Sequence, residues 1–224
     1  MAEIPPYIRL FCEGSKTEPN YFIPYFKAKG FHQPNMASKP KNHDPKGVAK
    51  AAKEAYNYAK KVLKIPEDKI FIWAIFDRDG HAGIPEAIDW LRGTPIGIAF
   101  SNICFEYWIL LHYENKPRAF LNCDEIISYI HQNHDKDYGK ANDHYTRLKD
   151  KVPDAIKHAQ QLARSQMQYE TRPDSILKGE NDPNSPDSPN WTLNPYTDVH
   201  LIFESLSVRG FIRSEEHTSE LQSQ

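Results

Sequence analysis

The stretch Lys69-Ile-Phe-Ile-Trp-Ala-Ile-Phe-Asp77-Arg78-Asp79-Gly80 decides how this 224-residue sequence folds. Its apolar run is rich in β-branched and aromatic residues, which is typical of a strand buried on both faces of a parallel sheet. The run ends at two aspartates and a glycine. Ligands of open α/β sheets bind beyond the carboxyl ends of the strands, so Asp77 and Asp79 predict a site at that edge.

Two carboxylates one residue apart repel each other unless a positive charge lies between them. A hard divalent cation suits this position, because carboxylate oxygens are its preferred ligands. Aspartate and glycine also occur in ordinary turns, so the motif alone leaves a plain turn equally open. A second acidic strand end upstream favours the metal site.

The composition favours a single folded domain, or one with an appendage. Hydrophobic residues make up 39% of the chain, the mean hydropathy is -0.70, and no apolar run approaches the ~20 residues that cross a bilayer. The sequence begins without a signal-like segment, and Cys12, Cys104 and Cys123 have no disulfide or metal spacing. We therefore expect a cytoplasmic protein. Its formal net charge of -2 confines any nucleic-acid contact to local basic patches.

The second acidic strand end follows a predicted strand from Tyr7 to Cys12. Glu13 and Gly14 come next, and Thr17 is expected to cap a helix. Four aromatic residues at helical spacing predict a buried helix face: Tyr21, Phe22, Tyr25 and Phe26. Glu13 and Glu18 are therefore either charges that favour a helix N-terminus or metal ligands at the same edge as Asp77.

The remaining elements alternate between helix and strand as far as His112. A weak strand is expected near Phe31, a helix over residues 46–63, a short helix over 84–91 and a strand over 96–100. The apolar face of the first long helix is expected to comprise Val48, Ala51, Ala52, Ala55, Tyr58, Ala59 and Val62. The strand over 96–100 leads into Glu106, the third acidic strand end. Because a glutamate among apolar residues is costly to bury alone, Glu106 needs a cation, a hydrogen-bond partner or solvent.

The second half of the chain is predicted to be helical. We expect helices over 124–133, 143–167 (broken near Pro153) and 199–206, with a mobile loop over 170–190. The second of these helices has a basic side that comprises Arg147, Lys149, Lys151, Lys157 and Arg164. Residues 1–122 are thus expected to form an α/β core, and residues 123–212 a helical extension packed on it. Residues 213–224 look like the translation of a sequencing-library adapter, so we expect them to lie outside the fold, with the true C-terminus missing.

Helical crossovers between the strands predict that they run parallel and bring the three acidic ends to one rim. Four or five carboxylates there would repel strongly without Mg²⁺ or a similar ion. An acidic rim with metal suits phosphodiester chemistry, in which one ion activates water and a second stabilises the leaving oxygen. Lys16 lies beside Glu13 in sequence and is a candidate to neutralise charge in the transition state.

Four motifs in order resemble those of the RloB/AbiLii-like family, over residues 7–211. They are Cys12-Glu-Gly-Ser-Lys-Thr-Glu18-Pro-Asn-Tyr-Phe22, Phe76-Asp-Arg-Asp79, Ser101-Asn-Ile-Cys-Phe-Glu-Tyr-Trp-Ile-Leu-Leu-His112 and Asn194-Pro-Tyr-Thr197. A strand that ends in Glu-Gly and another that ends in Asp-x-Asp also resemble the Toprim domain of topoisomerases, bacterial primases and OLD-type nucleases. The resemblance implies a Toprim-like Rossmannoid three-layer fold with a central, mainly parallel sheet and a helical C-terminal extension.

The resemblance also implies an activity and partners. It implies a Mg²⁺- or Mn²⁺-dependent nuclease in bacterial defence against phage, acting on DNA, RNA or tRNA. Members often sit beside an AAA/ABC-type ATPase that is thought to control them, and the sequence leaves a homo-oligomer open. A departure is Ile103, where the family usually has proline.

The resemblance also implies roles for individual residues. Glu13 would be a metal ligand or general acid/base, and Asp77 and Asp79 would be Mg²⁺ ligands. Glu18 matches a second glutamate that OLD-type nucleases place after their Glu-Gly turn. Glu106 and His112 are further candidate catalytic residues, although a lone histidine at that position is more commonly packed than a ligand.

Two alternatives stay open. The segment Ile75-Phe-Asp-Arg-Asp-Gly80 also resembles the first motif of haloacid-dehalogenase-type phosphotransferases, with Asp77 as nucleophile. Those enzymes usually place Thr or Val where His81 stands and carry the motif near the N-terminus. Alternatively, the acidic rim binds metal structurally and the chain is a non-catalytic partner of an ATPase.

Overall fold

A five-stranded sheet forms the centre of the described part of the chain. The computed structural model describes residues 4–78, 83–115, 117–166 and 193–213. The strands are β1 (Tyr7–Cys12), β2 (Ala37–Ser38), β3 (Ile70–Asp77), β4 (Gly97–Asn102) and β5 (Tyr196–Thr197). Their order is β2-β1-β3-β4-β5; the first four are parallel, and β5 runs antiparallel to β4. The expected mainly parallel α/β sheet is confirmed.

Helices connect and cover these strands. They are α1 (Thr17–Ala28), α2 (Pro45–Lys61), α3 (Ile84–Leu91), α4 (Glu106–Leu111), α5 (Cys123–Asn133), α6 (His144–Leu148), α7 (Val152–Gln166) and α8 (His200–Val208). Short 3₁₀ turns precede β3 and α7, at Glu67–Lys69 and Lys149–Lys151. None of the helices in the described residues has the length and apolar run that a membrane crossing would need.

The central strand β3 is buried on both faces and thereby separates two apolar cores. Its residues Ile70, Ile72, Ala74 and Phe76 pack with α2 and α3. The alternate residues Phe71, Trp73 and Ile75 pack with α1, α4, α5, α7 and α8. The result is a three-layer arrangement of helices, sheet and helices, as the sequence predicted.

The strand order creates a crevice at the carboxyl end of the sheet. β2 lies on one side of β1 and β3 on the other, so the connections after β1 and β3 diverge to opposite faces. Such a topological switch point is where open α/β sheets bind ligands. Cys12 pairs with Ile75 and Asp77 pairs with Ser101, so β1, β3 and β4 end at nearly the same level.

The second half of the chain shares the core of the first half. β5 extends the sheet beside β4, while buried residues of α5, α7 and α8 belong to the same apolar cluster as α1 and α4. The Arg209 guanidinium also donates a 2.7 Å hydrogen bond to the carbonyl oxygen of Ile70 at the start of β3. The boundary near residue 122 therefore does not separate two cores.

Several local expectations were wrong. Lys16, not Thr17, occupies the N-cap of α1, because the Thr17 hydroxyl is engaged elsewhere. The strand expected near Phe31 lies instead at β2, where the chain pairs with β1. By contrast, the expected break near Pro153 is confirmed: a 3₁₀ turn at Lys149–Lys151 precedes α7, and Pro153 lies in the first turn of that helix, where proline is tolerated.

The buried face of α2 is also rotated from the expected one. Its buried residues are Pro45, Val48, Ala49, Ala52, Tyr56 and Ala59. Tyr58 and Val62 are 50% and 62% exposed, respectively. Tyr56 turns inward, and its hydroxyl donates a 2.8 Å hydrogen bond to Glu67. The expected loop over 170–190 and the adapter-like residues 214–224 lie outside the described residues.

One glycine in β4 is required by close packing. A Cβ atom added to Gly97 would fall on the indole ring of Trp73, its cross-strand neighbour, whereas a Cβ atom at Gly83 would meet nothing within 4 Å. We expect Gly97→Ala to lower the free energy of unfolding by about 1–3 kcal/mol, because the ring must move within a packed core. Urea denaturation measures the change. Gly83→Ala is the matched control and should alter stability by less than about 0.5 kcal/mol; equal effects of the two substitutions would contradict the packing argument.

Candidate active site

Four carboxylates converge at the carboxyl edge of the sheet, and we call them the acidic cluster: Glu13, Glu18, Asp77 and Glu106. Glu13 follows β1, Glu18 lies in the first turn of α1, Asp77 ends β3 and Glu106 begins α4. The three glutamates are 9%, 3% and 2% exposed, respectively. Side chains from distant parts of the sequence therefore meet out of contact with bulk water.

Asp77 is the centre of this cluster. Its Oδ1 is shielded from solvent and has no hydrogen-bond partner among the described residues. Burial raises the pKa of Asp77 well above its usual value, and the neighbouring charges of Glu18, Glu106 and Glu13 raise the pKa further. A buried carboxylate oxygen without a donor strongly favours either a proton or a cation at that position.

Glu18 is held against the turn after β1. Its Oε1 accepts a 3.0 Å hydrogen bond from the backbone N–H of Gly14. A Cβ atom at Gly14 would collide with the Glu18 carboxylate, so the turn needs glycine to let this side chain approach. Burial, followed by the charge of Glu106, raises the pKa of Glu18 to about 6, against the opposing effect of hydrogen bonds from the backbone of Glu18 and Gly14.

Glu106 has the partners that its position in an apolar segment requires. Its Oε1 accepts a 2.8 Å hydrogen bond from the Thr17 hydroxyl. The ammonium nitrogen of Lys140 lies 3.2 Å from the same oxygen. Lys140 is 45% exposed at its side chain, and its charge lowers the pKa values of Asp77 and Glu18. Lys140 thus supplies positive charge at the rim of the cluster.

A disulfide bond lies directly beside Glu106. Cys104 and Cys123 are bonded across 19 residues with a Cα–Cα distance of 5.9 Å, which corrects the expectation that no two cysteines pair. Sequence spacing gave no signal, because the pairing depends on how the segment before α4 packs beside the start of α5. The Cys123 Sγ lies 3.0 Å from Glu106 Oε2. A disulfide sulfur carries no proton, so this contact becomes an S–H···O hydrogen bond only when the pair is reduced.

The predicted ligands of a hard cation lie at the same edge of the sheet, but their oxygen atoms are not all within 4.8 Å of one another. Among the residues that the structure describes, the ligand-type group with atoms all within 4.8 Å of one another is Cys104, Glu106 and Cys123. Glu13, Glu18 and Asp77 are not so tightly grouped. In the described ranges, the Asp77 oxygen without a donor and the excess of carboxylates over ammonium groups nevertheless fit a divalent cation in chemical type.

Comparison with known proteins identifies the family of this chain. The family described as RloB-like protein matches residues 8–206. The chain belongs to the RloB-like family. No curated protein and no solved structure matches the chain. The expected resemblance to RloB proteins is confirmed, while its Toprim and OLD-like part stays a prediction.

The other predicted site residues of this RloB-like chain lie in different surroundings. Lys16 is exposed at the N-terminus of α1. His112 is buried, with its ring nitrogens 3.0 Å from the Trp108 carbonyl oxygen and 2.9 Å from the Tyr21 hydroxyl. Burial lowers the pKa of His112 to about 3, so this ring is neutral at ordinary pH. These contacts fit a packed histidine, and a catalytic role for His112 stays a prediction. Asp79 lies outside the described residues.

The sequence analysis did not assign three residues of this RloB-like chain to the site. Thr17 was interpreted as a helix cap, and Cys123 and Lys140 were given no role. The need of Glu106 for a donor or a cation was visible, but the identity of its partners was not. The Lys140 carbonyl oxygen accepts a 3.3 Å hydrogen bond from Asn20 of α1, so tertiary contact places this loop beside the cluster.

The raised pKa of Glu18 predicts a pH-dependent cost to stability in metal-free protein. The folded state holds the Glu18 proton up to about pH 6 and the unfolded state up to about 4.5, so the resulting stabilisation is present below 4.5 and lost as pH rises through 6. Glu18→Gln keeps an oxygen acceptor and carries no charge. In EDTA it should be more stable than the parent by about 2 kcal/mol at pH 8 and equal to it at pH 4.

Chemical denaturation at several pH values measures this difference. Glu54→Gln, at an exposed position on α2, is the control and should show only a small difference across the range. A difference between Glu18→Gln and the parent that does not vary with pH would contradict the assignment.

Proposed function

We propose that this RloB-like protein is a metal-dependent phosphodiesterase that cleaves nucleic acid. The observation that carries the proposal is the buried Asp77 oxygen, which has no donor within the described part of the chain and lies among three further carboxylates at the switch point of a mainly parallel sheet. Such an arrangement is electrostatically costly in the absence of a cation, and proteins retain costly charge clusters mainly at functional sites.

The residues that would hold Mg²⁺ or Mn²⁺ are Asp77, Glu13 and Glu18, joined by Asp79 from the sequence prediction. When bound, such an ion supplies an acidified water and neutralises charge on a phosphate. Glu106 has a different role, because Thr17 and Lys140 both hold its Oε1. We assign Glu106 to orienting the site and Glu13 to accepting or donating the proton during cleavage.

Two lysines supply the positive charge that a phosphodiester requires. Lys140 contacts the cluster while keeping nearly half of its side chain exposed, so it can reach a bound phosphate from the rim. Lys16 is exposed at the N-terminus of α1, where backbone N–H groups also favour anions. Both lie at the edge of the crevice and not in the apolar core.

Exposed basic residues lie on α6, on α7 and on the 3₁₀ turn between these helices. They are Arg147, Lys149, Lys151, Lys157 and Arg164. Arg147 is paired at 2.8 Å with Asp135, and the Lys151 ammonium lies 4.5 Å from the centre of the Tyr113 ring, so these two are already partly engaged. We propose that these residues contact the backbone of DNA, RNA or tRNA. The wider proposal includes cytoplasmic anti-phage defence and control by an AAA/ABC-type ATPase.

Neutral isosteres of the metal ligands should abolish cleavage. We expect Asp77→Asn, Asp79→Asn and Glu13→Gln each to reduce Mg²⁺-dependent cleavage by at least about a hundredfold. Glu54→Gln should leave the rate unchanged. Circular dichroism of each variant checks that the fold is retained, and parental rates at saturating Mg²⁺ would show the assignment to be wrong.

Metal binding can be tested without a substrate. Mg²⁺ or Mn²⁺ should raise the melting temperature of the parent, because binding to the native state adds RT ln(1 + [L]/Kd) to its stability. The same ion should raise that of Asp77→Asn much less. Thermal melts with and without EDTA measure both.

The two alternative functions predict different products. A phosphotransferase would accumulate a phosphoryl group on Asp77, detectable by mass spectrometry after acid quench. A non-catalytic partner would bind metal and leave every nucleic acid intact. Incubation with total RNA and plasmid DNA in Mn²⁺, with and without a candidate AAA/ABC-type ATPase, followed by sequencing of the new ends, distinguishes these outcomes and identifies the substrate.

A further inference from the structure

A second group of metal-ligand side chains shares Glu106 with the acidic cluster. Cys104, Glu106 and Cys123 place two sulfur atoms and a carboxylate oxygen within 4.8 Å of one another, and all three residues are buried. We propose that, when its disulfide is reduced, this group binds a soft divalent metal ion of the Zn²⁺ class. The site is separate from the hard-cation site and does not rest on nuclease activity.

The ligand chemistry selects the metal. Thiolates favour Zn²⁺ and similar ions over Mg²⁺, whereas Asp77, Glu13 and Glu18 offer only oxygen. Three protein ligands leave a fourth position for water, which is the open coordination of reactive zinc sites and not the closed coordination of structural ones. The two neighbouring sites therefore differ in which ion they prefer.

The Glu106 carboxylate is already oriented for this role. Its Oε1 is held by the Thr17 hydroxyl at 2.8 Å and the Lys140 ammonium at 3.2 Å. Its Oε2 faces Cys123, 3.0 Å from the sulfur. Hydrogen bonds to the far oxygen of a ligating carboxylate fix its direction, and such supporting contacts strongly affect metal affinity.

The local charges also balance when the ion is bound. The Lys140 ammonium lies 3.7 Å from Cys123 Sγ, so it stands beside both the sulfur and the carboxylate. A divalent ion, two thiolates, one carboxylate and one ammonium have no net charge. This balance reduces the cost of burying the charged group.

Formation of the site requires reduction of the disulfide. A thiol reductant such as glutathione, in two equivalents, transfers two electrons and two protons to Cys104 and Cys123, and is itself released as its disulfide. Zn²⁺ then replaces the two thiol protons, which leave to solvent. Oxidation and metal binding are therefore mutually exclusive at this pair.

Cobalt(II) is a direct probe of the proposed site. The full chain is reduced, freed of reductant under anaerobic conditions and titrated with Co²⁺. The expected result is a thiolate-to-cobalt charge-transfer band that appears in the reduced protein, is absent from the oxidised protein and disappears when Zn²⁺ is added. Cys104→Ala and Cys123→Ala should lose the band, while Cys12→Ala, at the free buried cysteine of β1, should keep it.

The hydrogen bond from Thr17 to Glu106 allows a second test, in which metal affinity should fall without being lost. Thr17→Val removes a donor to Glu106 without removing a ligand, and we expect it to weaken Co²⁺ binding about 10- to 100-fold.

Alkylation of the reduced parent followed by mass spectrometry needs no variant: Zn²⁺ should protect Cys104 and Cys123 together. The inference is overturned if the reduced parent shows no band and no protection, or if the band survives in both cysteine variants. Neither readout involves cleavage, so failure of the nuclease proposal would leave these results unchanged.

Discussion

Mutual repulsion among buried carboxylates is the constraint on which the rest of this structure depends. Asp77 shares a water-poor edge with Glu13, Glu18 and Glu106, and each of these neighbours makes its ionisation less favourable. Charges in such surroundings interact far more strongly than in water. Two hydrogen bonds partly offset this repulsion: the Gly14 amide donates to Glu18, and the Thr17 hydroxyl donates to Glu106. We propose that a bound divalent ion neutralises the remaining negative charge.

The sheet topology explains why these side chains meet at all. Parallel strands present their carboxyl ends at one edge, and the reversal of strand order around β1 opens a crevice there. Apolar packing on both faces of β3 fixes its register, and the register sets Asp77 level with the end of β4. The large apolar cores thus hold in place a polar group that would not assemble by its own interactions.

Much of this fold could be predicted from local patterns. The apolar run of β3 and the helices α3 and α5 were predicted close to their observed bounds, because each is short, periodic and bounded by turn residues. The four carboxylates were also identified, since strand-end acids are visible in sequence. By contrast, Lys140 and the Cys104–Cys123 pair act through contacts that depend on how α5 and the following loop pack, and no local pattern specifies such contacts. The rotation of α2 was missed for a similar reason: small residues lie all round this helix, so the inward turn of Tyr56 decides its face.

The carboxylates and the ammonium group of the site come from opposite halves of the polypeptide. All four acids precede residue 107, whereas Lys140 is presented by the loop between α5 and α6. A shortened chain that ended after α4 would keep every negative charge and lose that nearby counterion. It would also lose β5 and three of the helices, α5, α7 and α8, that pack with α1 and α4 on one face of the sheet. Sequence changes in the later, motif-poor half can therefore adjust the electrostatic potential of the crevice while leaving its acidic residues untouched.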